Sequence, residues 1–307
     1  MAHFTSIDQI IGSTPLVSLN RLTRNAYGSV QVKLESQNPM GSVKDRIALA
    51  IINDAEQRGL LKPGSTIVEA TSGNTGIALA YLGASRGYKV ILTMPETMSI
   101  ERRRLLKAFG AQVELTPGNQ GMGGSVSRAR ELVQTIPGAF WARQFENEAN
   151  PAIHEQTTAR EIWEDTKGNI DVFVAGVGTG GSLTGVGRFL RDKNPDIEII
   201  ALEPDTSSVL SGGTPGPHKI QGIGPGFIPQ ILDTALISQT LKVSAVNAGE
   251  TARALATQEG ILGGISAGAN VWAALELANR KAYQGKNIVT LICDTGERYL
   301  STWLFDE

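Results

Sequence analysis

The feature that most constrains this chain is a regular alternation of short β-rich apolar runs with longer helical patterns. The strand-like runs are "VQVKLE" (30–35), "TIVEA" (66–70), "KVILTM" (89–94), "QVELT" (112–116), "DVFVAGV" (171–177), "IEIIALE" (197–203) and "NIVTLIC" (287–293). Helical spacing predicts helices over 43–58, 74–86, 99–109, 125–135, 151–166, 182–193, 248–259 and 267–280. Gly87 and Gly110 stand where helix C-terminal glycines belong, and Asn247 with Glu250 reads as an N-cap with a capping-box partner. Strands alternating with helices imply an α/β protein with a parallel-rich sheet covered on both faces. Two stretches break the rhythm. Residues 204–230, rich in Gly, Pro and Ser, are too long for an idle connector and read as a functional loop. "RQFENEANP" (143–151) is polar and marks a change of domain. The expected division is a larger α/β domain, 1–37 plus 149–307, and a smaller mobile one, 38–148.

Composition narrows the function. A net charge of -2 gives no reason to expect nucleic acid or an anionic membrane as partner. No run approaches the ~18 apolar residues of a membrane span, and the N-terminus lacks the pattern of a secretion signal. The single cysteine, Cys293, rules out an internal disulfide and fits a reducing, cytoplasmic setting. With three histidines and that one cysteine, no metal site is expected. The 35 glycines are clustered, which points to tight turns or close backbone approach to a ligand.

Two of those clusters sit at strand-to-helix junctions. "GVGTGG" (176–181) fits G-x-G-x-x-G, and Glu203 ends the next strand, so the pattern admits a nicotinamide-dinucleotide site. It also admits a cup for one phosphate, formed by the backbone N–H groups of Gly178, Thr179, Gly180, Gly181 and Ser182 at a helix start, or tight strand-to-helix packing with no ligand. The second cluster, "EATSGNTGIALA" (69–80), puts Thr71, Ser72, Gly73 and Thr75 at a helix start, an uncharged cup suited to a carboxylate. Lys44 opens a helix in "NPMGSVKDR" (38–46), where the helix dipole disfavours a cation. An amine so placed has its charged form destabilised and becomes a nucleophile toward an aldehyde. An aldehyde that carries a phosphate is pyridoxal 5′-phosphate, and an amino-acid substrate supplies the carboxylate.

Together with "MPETMSIERRRLLKAFGA", "PHKIQGIGPGFIP" and "GERYLSTWLF", these segments resemble the O-acetylserine sulfhydrylase (cysteine synthase) family of fold type II pyridoxal-phosphate enzymes, from about Gly12 to Leu304. The resemblance implies two parallel-rich α/β domains with the active site in the cleft between them. It implies β-replacement on O-acetyl-L-serine by sulfide or thiosulfate, giving L-cysteine and acetate through an aminoacrylate. By the family pattern Lys44 holds the cofactor and then acts as general base, and Asn74 bonds the cofactor's phenolic oxygen. Gly178, Thr179, Gly180, Gly181 and Ser182 hold the phosphate, and Ser266 faces the ring nitrogen. Thr71, Ser72, Gly73, Thr75 and Gln144 take the substrate carboxylate, whose binding closes the cleft and moves the 71–75 loop. A homodimer and docking of serine acetyltransferase belong to the same pattern.

Other readings stay open on the residues. Ser266 also suits a helix N-cap. "ICDTGERY" (292–299) carries Cys293 and Asp294, the pair found in the thiosulfate-using variety, whereas other segments match the sulfide-using one. His154 reads as structural within a helix, and His218 falls in the long loop. A cystathionine β-synthase-like enzyme shares the main motifs, and the glycine loop alone would allow an NAD(P)-dependent dehydrogenase.

Overall fold

A computed structural model describes residues 3–306. Its strands are β1 (Leu16–Ser18), β2 (Ser29–Lys33), β3 (Thr66–Ala70), β4 (Lys89–Pro95), β5 (Gln112–Thr116), β6 (Phe140–Trp141), β7 (Val172–Gly176), β8 (Glu198–Pro204), β9 (Gln239–Val243) and β10 (Asn287–Leu291). Its helices are α1 (Lys44–Gln57), α2 (Asn74–Arg86), α3 (Ile100–Ala108), α4 (Gly121–Thr135), α5 (Ala149–Ile153), α6 (Ala159–Asp165), α7 (Gly181–Lys193), α8 (Ala245–Ala254) and α9 (Ile265–Ala278). Wider π turns, His154–Thr158 and Leu255–Glu259, join α5 to α6 and extend α8.

The chain divides into two compact units. One comprises the residues up to Ile11 together with Lys44–Asn150; the other comprises Gly12–Val43 and the residues from Pro151 onward. The sequence-based boundaries stand at 37/38 and 148/149; contacts divide the chain at 11/12, 43/44 and 150/151.

The first unit is built on a parallel sheet in the order β5-β4-β3-β6. All five residues of β3 are buried, as expected for a strand covered on both faces. Val68, Ala70 and Ile91 pack with Ala129 and Leu132 of α4. The start of the chain is tied to this unit by Arg86, whose guanidinium bonds Asp8 at 2.5 Å and Glu56 at 2.9 Å.

The second unit carries a six-stranded sheet, β1-β2-β10-β7-β8-β9, parallel except for the β1–β2 pair. Alternate residues of its strands face opposite layers. Val172 and Val174 pack with Ala269 and Val271 of α9, while Phe173 and Ala175 pack with Val186 and Leu190 of α7. Lys33 is buried in this unit, with its ammonium 3.0 Å from Glu161 and 2.9 Å from Asp165 and donating to the Thr14 carbonyl. Two carboxylates and a carbonyl satisfy a charge that would otherwise be costly to bury.

The parallel-rich α/β architecture agrees with the sequence reading, and three local expectations are corrected. Ser244, not Asn247, caps α8: its hydroxyl accepts the Asn247 N–H at 3.1 Å, because the helix begins three residues earlier than its periodicity suggests. Ser266 is not an N-cap, since α9 starts at Ile265 with Gly264 before it. Strands β1, β6 and β9 are additional: β1 and β6 are short, and β9 mixes polar residues into an edge strand. Gly87 and Gly110 follow their helices with φ of 74° and 79°, the left-handed conformation that favours glycine.

Candidate active site

Each sheet has one place where its strand order reverses, and such switch points are where open α/β sheets bind ligands. In the first unit the chain runs from β3 outward to β4 and β5, then returns to β6 on the other side of β3. The crevice therefore opens where β3 and β6 end. Thr71, Ser72, Gly73, Asn74 and Thr75 leave β3 there, and Gln144 follows β6. The structure brings these residues together. The Thr75 hydroxyl donates to Gln144 Oε1 at 2.6 Å, the Gly73 N–H donates to Thr71 Oγ1 at 3.1 Å, and the Thr71 N–H donates to the Thr93 carbonyl. Arg102 donates to the Ser72 carbonyl at 2.9 Å. Helix α2 starts at Asn74 with no side-chain cap from Gly73, so its opening turn presents peptide N–H groups at this crevice. Lys44 lies in the same unit as the first residue of α1, half-buried, followed by the buried Asp45 and Arg46.

In the second unit the reversal lies between β7 and β10. Gly178 to Ser182 follow β7 and lead into α7. Here backbone shape governs. Gly180 has φ of 85°, and a Cβ on it would stand 2.8 Å from Leu232 Cβ. A Cβ on Gly178 would be driven into the carbonyl oxygen of Gly222. The N-cap Gly180 offers no side-chain acceptor; Thr179 Oγ1 accepts the Gly181 N–H at 3.4 Å, and the rest of the first turn presents N–H groups as an anion cradle without a cation. Gly222, at φ of 95°, also lies against Ser266: a Cβ there would be 3.6 Å from the Ser266 hydroxyl. One left-handed glycine thus touches both the cradle and the serine, which is 4% exposed at the start of α9.

Three supports were not legible in the sequence. His154 is buried, with Nδ1 2.9 Å from Thr158 Oγ1 and Nε2 3.1 Å from Ser182 Oγ, so it braces the cradle from behind. The π turn at His154–Thr158 lies against Gly185 of α7, where a Cβ would meet the Pro151 carbonyl and the Glu155 N–H. Asn270 accepts the Gly176 N–H at 2.8 Å and donates to the Leu291 carbonyl at 3.0 Å, joining the ends of β7 and β10. Glu69, buried near the end of β3, accepts the Arg143 N–H at 2.8 Å. An acid inside an otherwise apolar buried strand was the available signal for the last.

The remaining candidates have definite places. Cys293 is half-buried after β10, 3.3 Å from Asn270 Nδ2. Asp294 is buried and accepts the Tyr299 hydroxyl at 2.6 Å. His218 donates from Nε2 to the Gly224 carbonyl at 2.8 Å within the long loop, and His3 is exposed. Glu203 bears on the dinucleotide reading. Its carboxylate accepts the Leu210 and Ser211 N–H groups at 2.7 and 3.0 Å and the Ser211 hydroxyl at 2.5 Å. It is buried and occupied with a turn of its own chain, not presented to a ribose.

A neutral phosphate cradle and a hydroxyl beside the same glycine fit the phosphate and ring nitrogen of pyridoxal phosphate. Comparisons with known proteins agree. The family model for pyridoxal-phosphate dependent enzymes matches residues 7–294. A cysteine synthase of Staphylococcus aureus is 54% identical over 98% of this chain and 96% of its own length. The crystal structure of a cysteine synthase from Entamoeba histolytica superposes with a TM-score of 0.96 at 45% identity, covering 100% of this chain and 93% of that one. The structure of an O-ureido-L-serine synthase gives 0.95 at 50% identity, covering 99% and 96%. The chain belongs to the pyridoxal-phosphate-dependent enzyme family, in the fold type II branch that contains the cysteine synthases.

Proposed function

We propose that this chain makes L-cysteine and acetate from O-acetyl-L-serine and sulfide. The observation that carries the reading is the cradle at 178–182, which binds a dianion by shape and peptide N–H groups alone. Pyridoxal 5′-phosphate supplies the electron-withdrawing ring that lets Cα lose its proton and Cβ lose its substituent. The protein does the rest. Lys44 provides the amine that anchors the cofactor aldehyde and then accepts the Cα proton at Nζ. Asn74 would donate to the phenolic oxygen. Gly178, Thr179, Gly180, Gly181 and Ser182 hold the phosphate, with His154 bracing Ser182. Ser266 would offer the ring nitrogen a neutral hydroxyl, which would leave the ring a weaker electron sink than an aspartate would. That favours loss of the Cβ substituent. Thr71, Ser72, Gly73, Thr75 and Gln144 fix the substrate carboxylate.

The similarity to an O-ureido-L-serine synthase favours a second reading, in which a nucleophile other than sulfide attacks at Cβ. Thiosulfate is one such nucleophile, and Cys293–Asp294 is the segment that would select it. A homodimeric state, a cytoplasmic setting and docking of a serine acetyltransferase tail rest on the family resemblance. The test is direct. Purified holoenzyme is yellow, O-acetyl-L-serine changes its spectrum, and sulfide restores it with release of cysteine. Turnover of serine with homocysteine instead would reassign the chain to the cystathionine-forming enzymes. Faster turnover with thiosulfate or another nucleophile would favour the second reading.

A further inference from the structure

Glu69 has no role in the reaction as described, yet it is built into the crevice where β3 and β6 end. The ladder between these strands continues as far as the Ala142 N–H, which donates to the Val68 carbonyl at 3.1 Å. At the next residue the main chain departs. Arg143 turns to φ of 50°, a left-handed conformation that a non-glycine residue adopts at a cost of about 1–3 kcal/mol. Its N–H is taken up by Glu69 Oε2 at 2.8 Å, so a side chain takes the place of the next rung. The backbone N–H and the side-chain amide of Gln144 also lie close enough to favour the charged form of Glu69. The Gln144 carbonyl accepts from Asn150 Nδ2 at 2.8 Å, and its Oε1 accepts the Thr75 hydroxyl at 2.6 Å. With Oε1 committed to Thr75, it is Nε2–H that the amide has left to offer Glu69. An amide turned end for end would set its oxygen against the Glu69 carboxylate.

We propose that Glu69 is a positioning residue for the amino-acid substrate: its carboxylate clamps the Arg143 turn and fixes the Gln144 amide, and so orders the donors of the 71–75 loop that receive the substrate carboxylate. This rests on the reading that the loop binds that carboxylate. Donors facing Glu69 suit its ionised form. Burial opposes ionisation, and with a smaller contribution from Glu146 it pushes the carboxyl up to about 8 despite those donors. The guanidinium of Arg143 stands 4.8 Å over the Trp141 ring and 3.6 Å from Glu146. The flanking strands place Leu92 and Phe140–Trp141 beside β3, and α4 packs Ala129 and Leu132 there. Arg128 of α4 is held by Glu114 and Glu131. From α2 the titratable groups are Tyr81 and Arg86, and α1, which packs on α2, opens with Lys44, Asp45 and Arg46. The ordered loop therefore belongs to the alkaline side of the Glu69 titration.

The experiment compares holoenzyme with Glu69→Gln, in which the group is neutral at every pH. The KM for O-acetyl-L-serine in the variant, divided by that of the parent, is expected to stay within twofold at pH 6.5. It should rise to about tenfold at pH 9, the loss of roughly one good hydrogen bond. The kcat should stay within threefold throughout. Titration of the substrate amine and of Lys44 is common to both proteins and cancels in the ratio. Placed on Gln144→Ala, the same substitution should raise KM by clearly less than it does in the parent, because part of what Glu69 orders is the Gln144 amide. A ratio that does not change with pH, or additive effects on Gln144→Ala, overturns the proposal. If Glu69→Gln does not fold, Gln144→Ala carries the test: its KM divided by that of the parent should rise through pH 8, and a ratio that stays flat across that range overturns the proposal. Failure of the parent to respond to O-acetyl-L-serine at all would instead refute the functional reading.

Discussion

The two glycine-bearing junctions occupy equivalent topological places yet are held by different means. After β7, the loop 178–182 is fixed by backbone shape, with Gly178 against Gly222 and Gly180 left-handed against Leu232. After β3, the loop 71–75 is fixed by hydrogen bonds among Thr71, Ser72, Thr75, Gln144 and Arg102. Around Gly73 there is space: the nearest atom to an added Cβ is Thr71 Oγ1 at 3.8 Å. The difference suits the ligands proposed for them. A phosphate that stays needs a rigid mould, and a carboxylate that arrives and leaves each turnover needs donors that can reorganise.

The largest expected effect separates the junctions by one methyl group. Gly178→Ala forces the backbone at Gly222 to move, and overpacking of this kind costs about 1–3 kcal/mol. Thermal melting and the absorbance retained after dialysis should show a less stable protein that no longer keeps its cofactor. Gly73→Ala should fold and stay yellow, with stability within about 0.5 kcal/mol of the parent, while its KM for the amino acid rises. A colourless Gly73→Ala, or a fully loaded Gly178→Ala, would erase the contrast. A smaller effect is expected at His154, whose ring braces Ser182. His154→Ala should weaken cofactor retention about tenfold, in line with the loss of one hydrogen bond to the cradle, and leave the amino-acid KM of the loaded enzyme within twofold. Equilibrium reconstitution with added cofactor would measure the first and steady-state kinetics the second.

A separate expectation concerns stability against pH. The Glu69 carboxyl titrates near its ordinary value of 4.5 in the unfolded chain and at about 8 in the folded one, because burial disfavours the charge. Between those values the folded state binds one proton more, so stability contributed by this group falls as pH rises. The slope is about 1.4 kcal/mol per pH unit, and it levels off above about 8. Urea unfolding of Glu69→Gln and the parent from pH 5 to 9 should therefore show the parent losing stability relative to the variant. Parallel curves would place the titration elsewhere.

The sequence disclosed the architecture and the two loops of the candidate site because both are written locally. The β3–α2 and β7–α7 junctions carry Gly, Ser and Thr in consecutive positions, and Lys44 is conspicuous as a cation opening a helix. What stayed hidden is the network behind those residues. Gly176 meets Asn270 across 94 positions, and Glu69 meets Arg143 across 74. No periodicity reports such a pairing. The same holds for His154, whose second nitrogen meets Ser182 across 28 positions. Strand β6, two residues long, is too short to carry a pattern, although it sets one wall of the crevice.

The central claim is that Lys44 anchors the cofactor. Borohydride reduction of the holoenzyme, followed by proteolysis and mass spectrometry, tests it in one step. The account predicts a single pyridoxyl adduct on the peptide containing Lys44. An adduct on another lysine, or none on protein that was yellow beforehand, would contradict it.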